Sequence, residues 1–281
     1  MHKYQKRIFI AGIGIGLMGI LYGCASQVAL PDLSKEGEVV AVVREEGSGT
    51  REEFENLVGT TEKGADIVAT STEEVMDTVA NQNGSIGYLA YSVLDASGVK
   101  SIQVDGVTPS GKSIQNGSYP LSRNYYVAYR DTPNAVAQDF FNYLLSAGQE
   151  FVGEYCVPVR KQTTFLSDKS KGSIRIQGST SMEAMMQALI EDYKNYNPNA
   201  QIELTATDST VGITAAIRGE CDLAMTSREL KDYESELLTK TAIGKDAIAI
   251  VVQENNPVEN LSKKQLKELF DMECDTWADL E

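Results

Sequence analysis

Apolar and polar positions along the chain follow two periods, and the switch from one to the other recurs. EVVAVV, Glu38 to Val43, is a β-branched run of strand character, and TREEFENLVG behind it has acids in its first turn and Gly59 at its end, the layout of a helix. SIRIQ, Ser173 to Gln177, alternates like a strand before GSTS and the long helical pattern MEAMMQALIEDYKNYNP. IELTAT, Ile202 to Thr207, runs through DSTVG into ITAAIRG, and CDLAMTS, Cys221 to Ser227, runs into RELKDYESELL. Strand, polar turn and helix in repeated succession predict an α/β fold with largely parallel sheets. Ligands of such folds bind outside the carboxyl ends of the strands, where these turns lie.

The first 23 residues follow neither period. Lys3, Lys6 and Arg7 precede the apolar run IFIAGIGIGLMGIL and then Tyr22-Gly23-Cys24. The run is Gly-rich and short for a spanning helix, so an export signal is expected over residues 1–23. Leu21-Tyr22-Gly23-Cys24 resembles a bacterial lipobox, which implies a diacylated Cys24 as the mature N-terminus and a tether over residues 24–37. Two acyl chains suffice for stable attachment, so the expected location is the extracytoplasmic face of the cell membrane.

Composition narrows the function classes. The chain has 281 residues, 42% of them hydrophobic, enough for two lobes or one large domain. Cleavage after residue 23 removes three positive charges and no negative ones, taking the net charge from minus 15 to minus 18. Nucleic acid is excluded as an expected partner, because affinity for it comes chiefly from Lys and Arg on phosphates and no basic cluster is present. Cys156, Cys221 and Cys274 are odd in number and far apart, which suits isolated core residues rather than a disulfide framework or a zinc site. The only histidine is His2, inside the expected signal, so catalytic groups and metal sites that need histidine are ruled out of the mature chain. Glu46 stands where a nucleophile elbow needs its first glycine, and no P-loop can be drawn through GSGT. A non-enzymatic protein without cofactor or metal is the expectation.

The turns share one chemistry. Ser48 and Thr50, Thr180 and Ser181, Asp208, Ser209 and Thr210, and Ser227 each stand at or near an expected helix start. A single such residue is accounted for by capping, in which its oxygen accepts an orphan backbone N–H. Four such turns on strand ends form a potential site for a small oxyanion, since helix N-termini offer free N–H donors and partial positive charge. Gly47 and Gly49 let backbone amides come close to an anion, and Arg44 can add a charge-assisted bond.

REEGSGTR resembles the R-x-D-G-S-G-T signature of the periplasmic phosphate-binding proteins that feed ABC transporters. IQGSTSM from Ile176, SREL from Ser227, NNPV from Asn255, GSIGY from Gly84 and VDGVTPSGKSIQNGSYPLSR from Val104 are similar to the same family, and together they span nearly all of the mature chain. The resemblance implies a two-lobed periplasmic-binding-protein-like fold of type II that closes on dehydrated phosphate. The order of the halves differs from the family's: REEGSGTR comes first here and GSTS second, so the chain reads as a circular permutant, with RKQTTFLSDKSK joining the old ends. A piece of a tandem array, with lobes paired between neighbouring copies, would have the same sequence. By family order one lobe takes residues 38–95 and 251–281, the other 97–250, with hinges near Leu94–Val99 and Ala249–Gln253.

The resemblance assigns site residues one at a time. Arg44 matches the arginine on the phosphate oxygens, Ser48, Gly49 and Thr50 match hydroxyl and amide donors of one lobe, and Thr180, Ser181 and Ser209 match donors of the other. Glu46 stands where the family has an aspartate linked to that arginine, and Ser227 where some members have an aspartate that accepts the phosphate proton. Asp208 is the candidate replacement for that acceptor, with a plain helix cap as the competing role. These matches imply a lipoprotein that hands inorganic phosphate to a membrane ABC permease as a monomer. A phosphate-sensing or adhesion lipoprotein without transport is the alternative.

Overall fold

A computed structural model describes residues 31–61, 65–96 and 98–280. The expected signal segment and Cys24 lie outside the described residues. The first third of the chain forms β1 (Val40–Arg44), α1 (Gly49–Val58), β2 (Ile67–Ala69), α2 (Thr72–Asn81), β3 (Ser85–Ala90), β4 (Lys100–Ser101), β5 (Gln103–Val104) and α3 (Gly111–Gln115). Next come β6 (Ser122–Tyr129), α4 (Ala135–Leu144), α5 (Gln149–Tyr155), β7 (Val157–Pro158), β8 (Gly172–Ser179), α6 (Glu183–Tyr196), β9 (Ala200–Thr207), α7 (Ser209–Arg218) and β10 (Leu223–Thr226). α8 (Asp232–Ser235), β11 (Thr239–Val252), β12 (Asn260–Leu261) and α9 (Lys263–Phe270) complete it. Among the described residues no helix is long and apolar enough to cross a membrane.

The α/β expectation holds, with a difference in strand direction. One path of strands, β2-β1-β3-β11-β6-β10-β8-β9, runs through the whole molecule. β1 is parallel to β2 and β3, and β8 to β9 and β10, as the strand-turn-helix units require. β11 and β6 are antiparallel to each other, and they enter antiparallel to β3 and β10 respectively. β11 is the element that ties the halves together: Thr239–Ala247 pair with β6, and Ile248–Val252 pair with β3. Its run AIAIVV has no polar alternation because both faces are covered.

Two main cores flank this crossing. Phe54 stacks on Tyr88 and meets Phe270 edge-on in the first, which Trp277 and Val43 share. Phe140, Tyr143, Tyr193 and Ile176 anchor the second. Ile102, Val104, Ile114, Tyr119 and Leu121, which the family-based boundary near residue 97 gives to the second lobe, pack in the first core. The backbone passes between cores where β6 begins, after Leu121, and within β11 near Ala247; the Tyr119 hydroxyl donates to the Ile248 carbonyl at 3.0 Å beside that crossing. Cys156, Cys221 and Cys274 are each buried, and each lies in a different apolar cluster.

The two ends of the described chain lie side by side in the first lobe. Val39 N–H donates to the Asp275 carbonyl at 3.0 Å, Trp277 N–H donates to Gly37 at 3.1 Å, and Glu38 bridges Thr276 antiparallel. The Trp277 indole N–H donates to the Gly84 carbonyl at 2.9 Å. Residues 161–170 contain no helix or strand, yet they are held: Phe165 packs on Tyr143, Tyr193 and Tyr196, and Asp139 accepts from Ser167 and Asp168. The helix expected over RELKDYESELL is reduced to the four residues of α8, because Arg228 bonds forward to Glu234 at 2.7 and 3.0 Å and bends the segment into an ion-paired turn.

Candidate functional site

The carboxyl ends of β1, β8, β9 and β10 meet at the seam between the lobes, and three helix starts point at it. Arg44 ends β1, and Ser48 caps α1 by accepting from Arg51 N–H. Gly47 makes the intervening turn at φ 93°, a left-handed conformation costly for other residues. Thr180 and Ser181 form a single 3-10 turn before α6, Asp208 caps α7, and Ser227 follows β10. The first N–H groups of a helix have no intrahelical acceptor, so each start presents free donors.

Arg44 is 2% exposed. Its Nε and Nη2 both donate to the Glu45 carboxylate at 2.7 Å, its Nη1 donates to Thr72 at 3.2 Å, and Nη2 reaches Thr180 of the opposite lobe at 3.3 Å. The link expected from Glu46 is made by Glu45 instead. The turn at Gly47 leaves Glu46 exposed, while Glu45, leaving the strand, folds back along the guanidinium.

Gly49, Thr50, Ser181, Ser209 and Ser227 come together at the seam. Thr50 and Ser181 hydroxyls are 2.9 Å apart, Ser209 Oγ accepts from Ser227 N–H at 3.2 Å, and Ser227 Oγ accepts from Ser179 at 3.0 Å. Gly49 faces this group so closely that a Cβ there would lie 2.2 Å from Ser209 Oγ and 2.8 Å from Ser227 Oγ. Gly49→Ala should therefore fold, since alanine suits a helix, yet hold the lobes apart. Overpacking of this kind predicts about tenfold or greater loss of ligand affinity with an unchanged melting temperature, read by titration calorimetry and thermal unfolding.

Asp208 behaves as a cap: its Oδ1 accepts from Val211 N–H at 2.7 Å. Burial pushes its carboxyl pKa up, Glu45 adds to that, and the Val211 N–H and Arg44 act in the other direction. It approaches Gly47 rather than the hydroxyl group around Ser227.

Sequence reasoning gave no role to a second buried arginine. Arg123, on β6 at the crossing between lobes, is 5% exposed and lies against Asp246 of β11, with Nε and Nη2 each 3.0 Å from Oδ2. Its Nη1 donates to the Thr50 hydroxyl at 2.9 Å and to the Ser227 carbonyl at 3.4 Å. Ser92 N–H donates to the other oxygen of Asp246 at 3.0 Å. Burial works against the Arg123 charge, but Tyr125 and Asp246 beside it prevail and raise its pKa. The available signal was the single charged residue of a tyrosine-rich strand, the Arg123 of PLSRNYYVAY.

Farther along the seam, Glu52 of α1 is 2.9 Å from Arg228 Nε and 3.2 Å from Lys231 Nζ, and accepts from Thr210 at 3.2 Å. Thr210 N–H donates to the Gly47 carbonyl at 3.2 Å. The lobes are thus fastened by an ion-paired rim outside the hydroxyl group. What the seam presents inside that rim is a dense set of N–H and O–H donors around two arginines, each balanced by one carboxylate. Such an arrangement can desolvate and hold a small tetrahedral oxyanion.

Comparison with known proteins agrees with this chemistry. A sequence profile of the PBP superfamily domain matches residues 19–147 and 163–281. Phosphate-binding protein PstS 2 of Streptococcus pneumoniae serotype 4 is 32% identical over 288 residues, covering 98% of each chain. Phosphate-binding protein PstS 2 of Streptococcus agalactiae serotype V is 34% identical over 295 residues, covering 100% of this chain and 99% of the relative. The crystal structure of a phosphate ABC transporter, phosphate-binding protein from S. pneumoniae TIGR4 superposes with a TM-score of 0.71 at 32% identity, over 87% of this chain and 100% of that one.

Proposed function

Because the chain belongs to the PBP superfamily and, within it, to the PstS family of phosphate-binding proteins, we propose that it captures inorganic phosphate between its lobes and delivers it to an ABC permease. The observation that carries this reading is the meeting of Arg44, Gly49 and Thr50 from one lobe with Thr180, Ser181, Ser209 and Ser227 from the other, in a buried seam beside the Ser48 cap. An anion there touches both lobes at once, and only such a ligand shifts the balance from open to closed. The reading includes lipid attachment at Cys24 and action as a monomer. It also takes the chain as a circular permutant, which the pairing of Glu38 with Thr276 and the packed segment 161–170 support. Calorimetric titration of ligand-stripped protein with phosphate tests it. One phosphate per chain is expected, and no heat of binding would remove the reading.

The ion-paired rim gives a separate expectation. Glu52→Gln leaves Arg228 its two bonds to Glu234, so the fold should lose little. The closed state alone should weaken, by about 1 kcal/mol, the upper end for a partly exposed ion pair. Stopped-flow release of phosphate should then speed up about fivefold with little change in the association rate.

A further inference from the structure

A cavity separate from the anion seam lies between the lobes. Its volume is about 190 Å³, and it opens to solvent beside the exposed Glu154. Tyr91, Ser92 and Leu94, in the turn Tyr91–Ala96 after β3, and Gly111 at the start of α3 form its wall on the first-lobe side. Residues 153–156 at the end of α5, with Cys156 in the second core, form the wall on the other side. A cavity of about 150 Å³ is large enough to hold benzene, so this one has room for a single ring with a short substituent.

The space exists because a glycine faces it from each lobe. Neither Gly111 nor Gly153 has a positive φ, so no backbone conformation calls for glycine there, and within a helix glycine is less favourable than alanine. Gly153 has a packing reason, since a Cβ would lie 3.3 Å from Pro158 Cγ. Gly111 lacks one: a Cβ would meet only Val157 Cγ2, at 4.0 Å. What the missing side chain at position 111 preserves is the cavity.

The walls suit a cation. Among the described residues that line the cavity there is no lysine, arginine or histidine. Glu154 brings a carboxylate to the mouth, and the Tyr91 hydroxyl, which receives from Gly111 N–H at 3.1 Å, keeps a second lone pair. Cys156 lines the wall as a neutral thiol, because burial and then the charge of Asp246 push its pKa up. Leu94 and Tyr155 add apolar surface. An ammonium on a small apolar body finds a counter-charge, a lone pair and tyrosines here, whereas an anion finds no positive charge.

Two threads of hydrogen bonds lead from this cavity to the seam, both starting at Ser92. Its N–H donates to Asp246 at 3.0 Å, and Asp246 holds Arg123, which donates to Thr50 at 2.9 Å. Its hydroxyl lies 2.8 Å from that of Tyr125, which donates to the Ser181 carbonyl at 3.1 Å. The threads end on the Thr50 and Ser181 hydroxyls, the pair that meets across the lobes.

We infer that this cavity is a second ligand site, that it takes a small organic cation of about one ring in size, and that filling it favours closure of the anion seam. A molecule touching both walls favours the state in which they stand at this separation, and in that state the Arg44–Thr180 and Thr50–Ser181 contacts are made. The linkage rests on the phosphate reading of the seam, and the site itself does not.

The test uses three probes of one shape, benzylammonium, benzyl alcohol and benzoate, each titrated calorimetrically into phosphate-free protein. Benzylammonium should bind one to one with a dissociation constant of about 1 mM, the alcohol about tenfold more weakly and benzoate not measurably. Gly111→Leu, which fills the cavity, should abolish amine binding while its phosphate affinity stays within about threefold of the parent's. Glu154→Gln, at an exposed position, should reduce benzylammonium to the affinity of the alcohol. Saturating benzylammonium should tighten phosphate binding about fivefold, and phosphate should tighten amine binding by the same factor. Benzylammonium that fails to bind, binds no better than benzoate, or binds equally well to folded Gly111→Leu or to Glu154→Gln would overturn the site. Amine binding that leaves phosphate affinity unchanged would overturn the linkage. Absence of phosphate binding with and without amine would remove the phosphate reading and the linkage together, while the amine titrations alone still decide the site.

Discussion

Arg44→Ala should bind phosphate at least about thirtyfold more weakly than the parent protein while unfolding at nearly the same temperature. The guanidinium is the charge at the carboxyl end of β1, and it links Thr72 of its own lobe with Thr180 of the other. Without it the anion faces Glu45 with no positive charge between, and oxygens enclosed in the seam lose a charged donor. Truncating one member of a buried, hydrogen-bonded charge pair costs about 2 to 5 kcal/mol, which corresponds to a loss between about thirtyfold and several thousandfold. Glu45 is partly exposed and can rehydrate once its partner is gone, so folding stability is spared most of this cost. Arg44→Lys separates charge from geometry. A lysine keeps the charge but cannot hold Glu45 through two parallel bonds and reach Thr72 and Thr180 together, so its affinity should fall between the two. Titration calorimetry with thermal unfolding of all three proteins makes the comparison. Parental affinity in Arg44→Ala would place the anion elsewhere.

The parts of the site visible in the sequence are those built by local rules. Ser48 and Asp208 announce themselves because a capping residue must stand next to the helix it caps, and the GSTS turn because the end of its strand is marked by the change of period. Family resemblance then supplied the expectation of which turns would share a ligand. What it could not supply was the geometry of Glu45 and Glu46, adjacent residues of the same chemistry separated only by the direction in which the Gly47 turn sends each. Arg123 and Asp246 were hidden for a different reason. They are 123 positions apart and meet only through the antiparallel register of β6 with β11. β11 is covered on both faces, so its apolar run carries no alternation to reveal partner, direction or register. The same concealment explains why the seam between lobes fell at Leu121 and Ala247 rather than near residues 97 and 250. A hinge is set by which core receives each side chain, and the first core reaches past the family's usual boundary to take Ile102, Val104, Ile114, Tyr119 and Leu121.

Arg123→Met should be the most destabilising of the single substitutions considered, and pairing it with Asp246→Leu should restore the fold without restoring the site. Asp246 is fully buried at the crossing of the lobes, and Arg123 is the cation against it. Removing the arginine leaves a carboxylate with Ser92 N–H as its remaining donor, and breaking a buried pair in this way costs about 3 to 5 kcal/mol. Replacing both partners by apolar residues of similar volume removes the charge that needed compensation, and such exchanges are often neutral or stabilising. Chemical denaturation should therefore find the double variant close to the parent and the single variant far below it. Ligand binding should not follow that recovery. Arg123 Nη1 is the donor that engages Thr50 from behind and ties it to the Ser227 carbonyl, so the doubly apolar crossing leaves the Thr50 hydroxyl free to turn away from the anion. Loss of one oriented donor and of a nearby positive charge should weaken phosphate binding by about 2 kcal/mol, or roughly thirtyfold, in a protein of parental stability. A double variant that regains both stability and affinity would show that the arginine serves the fold alone. One that regains stability and stays weak assigns it a second task, holding the threonine hydroxyl in the position from which it donates.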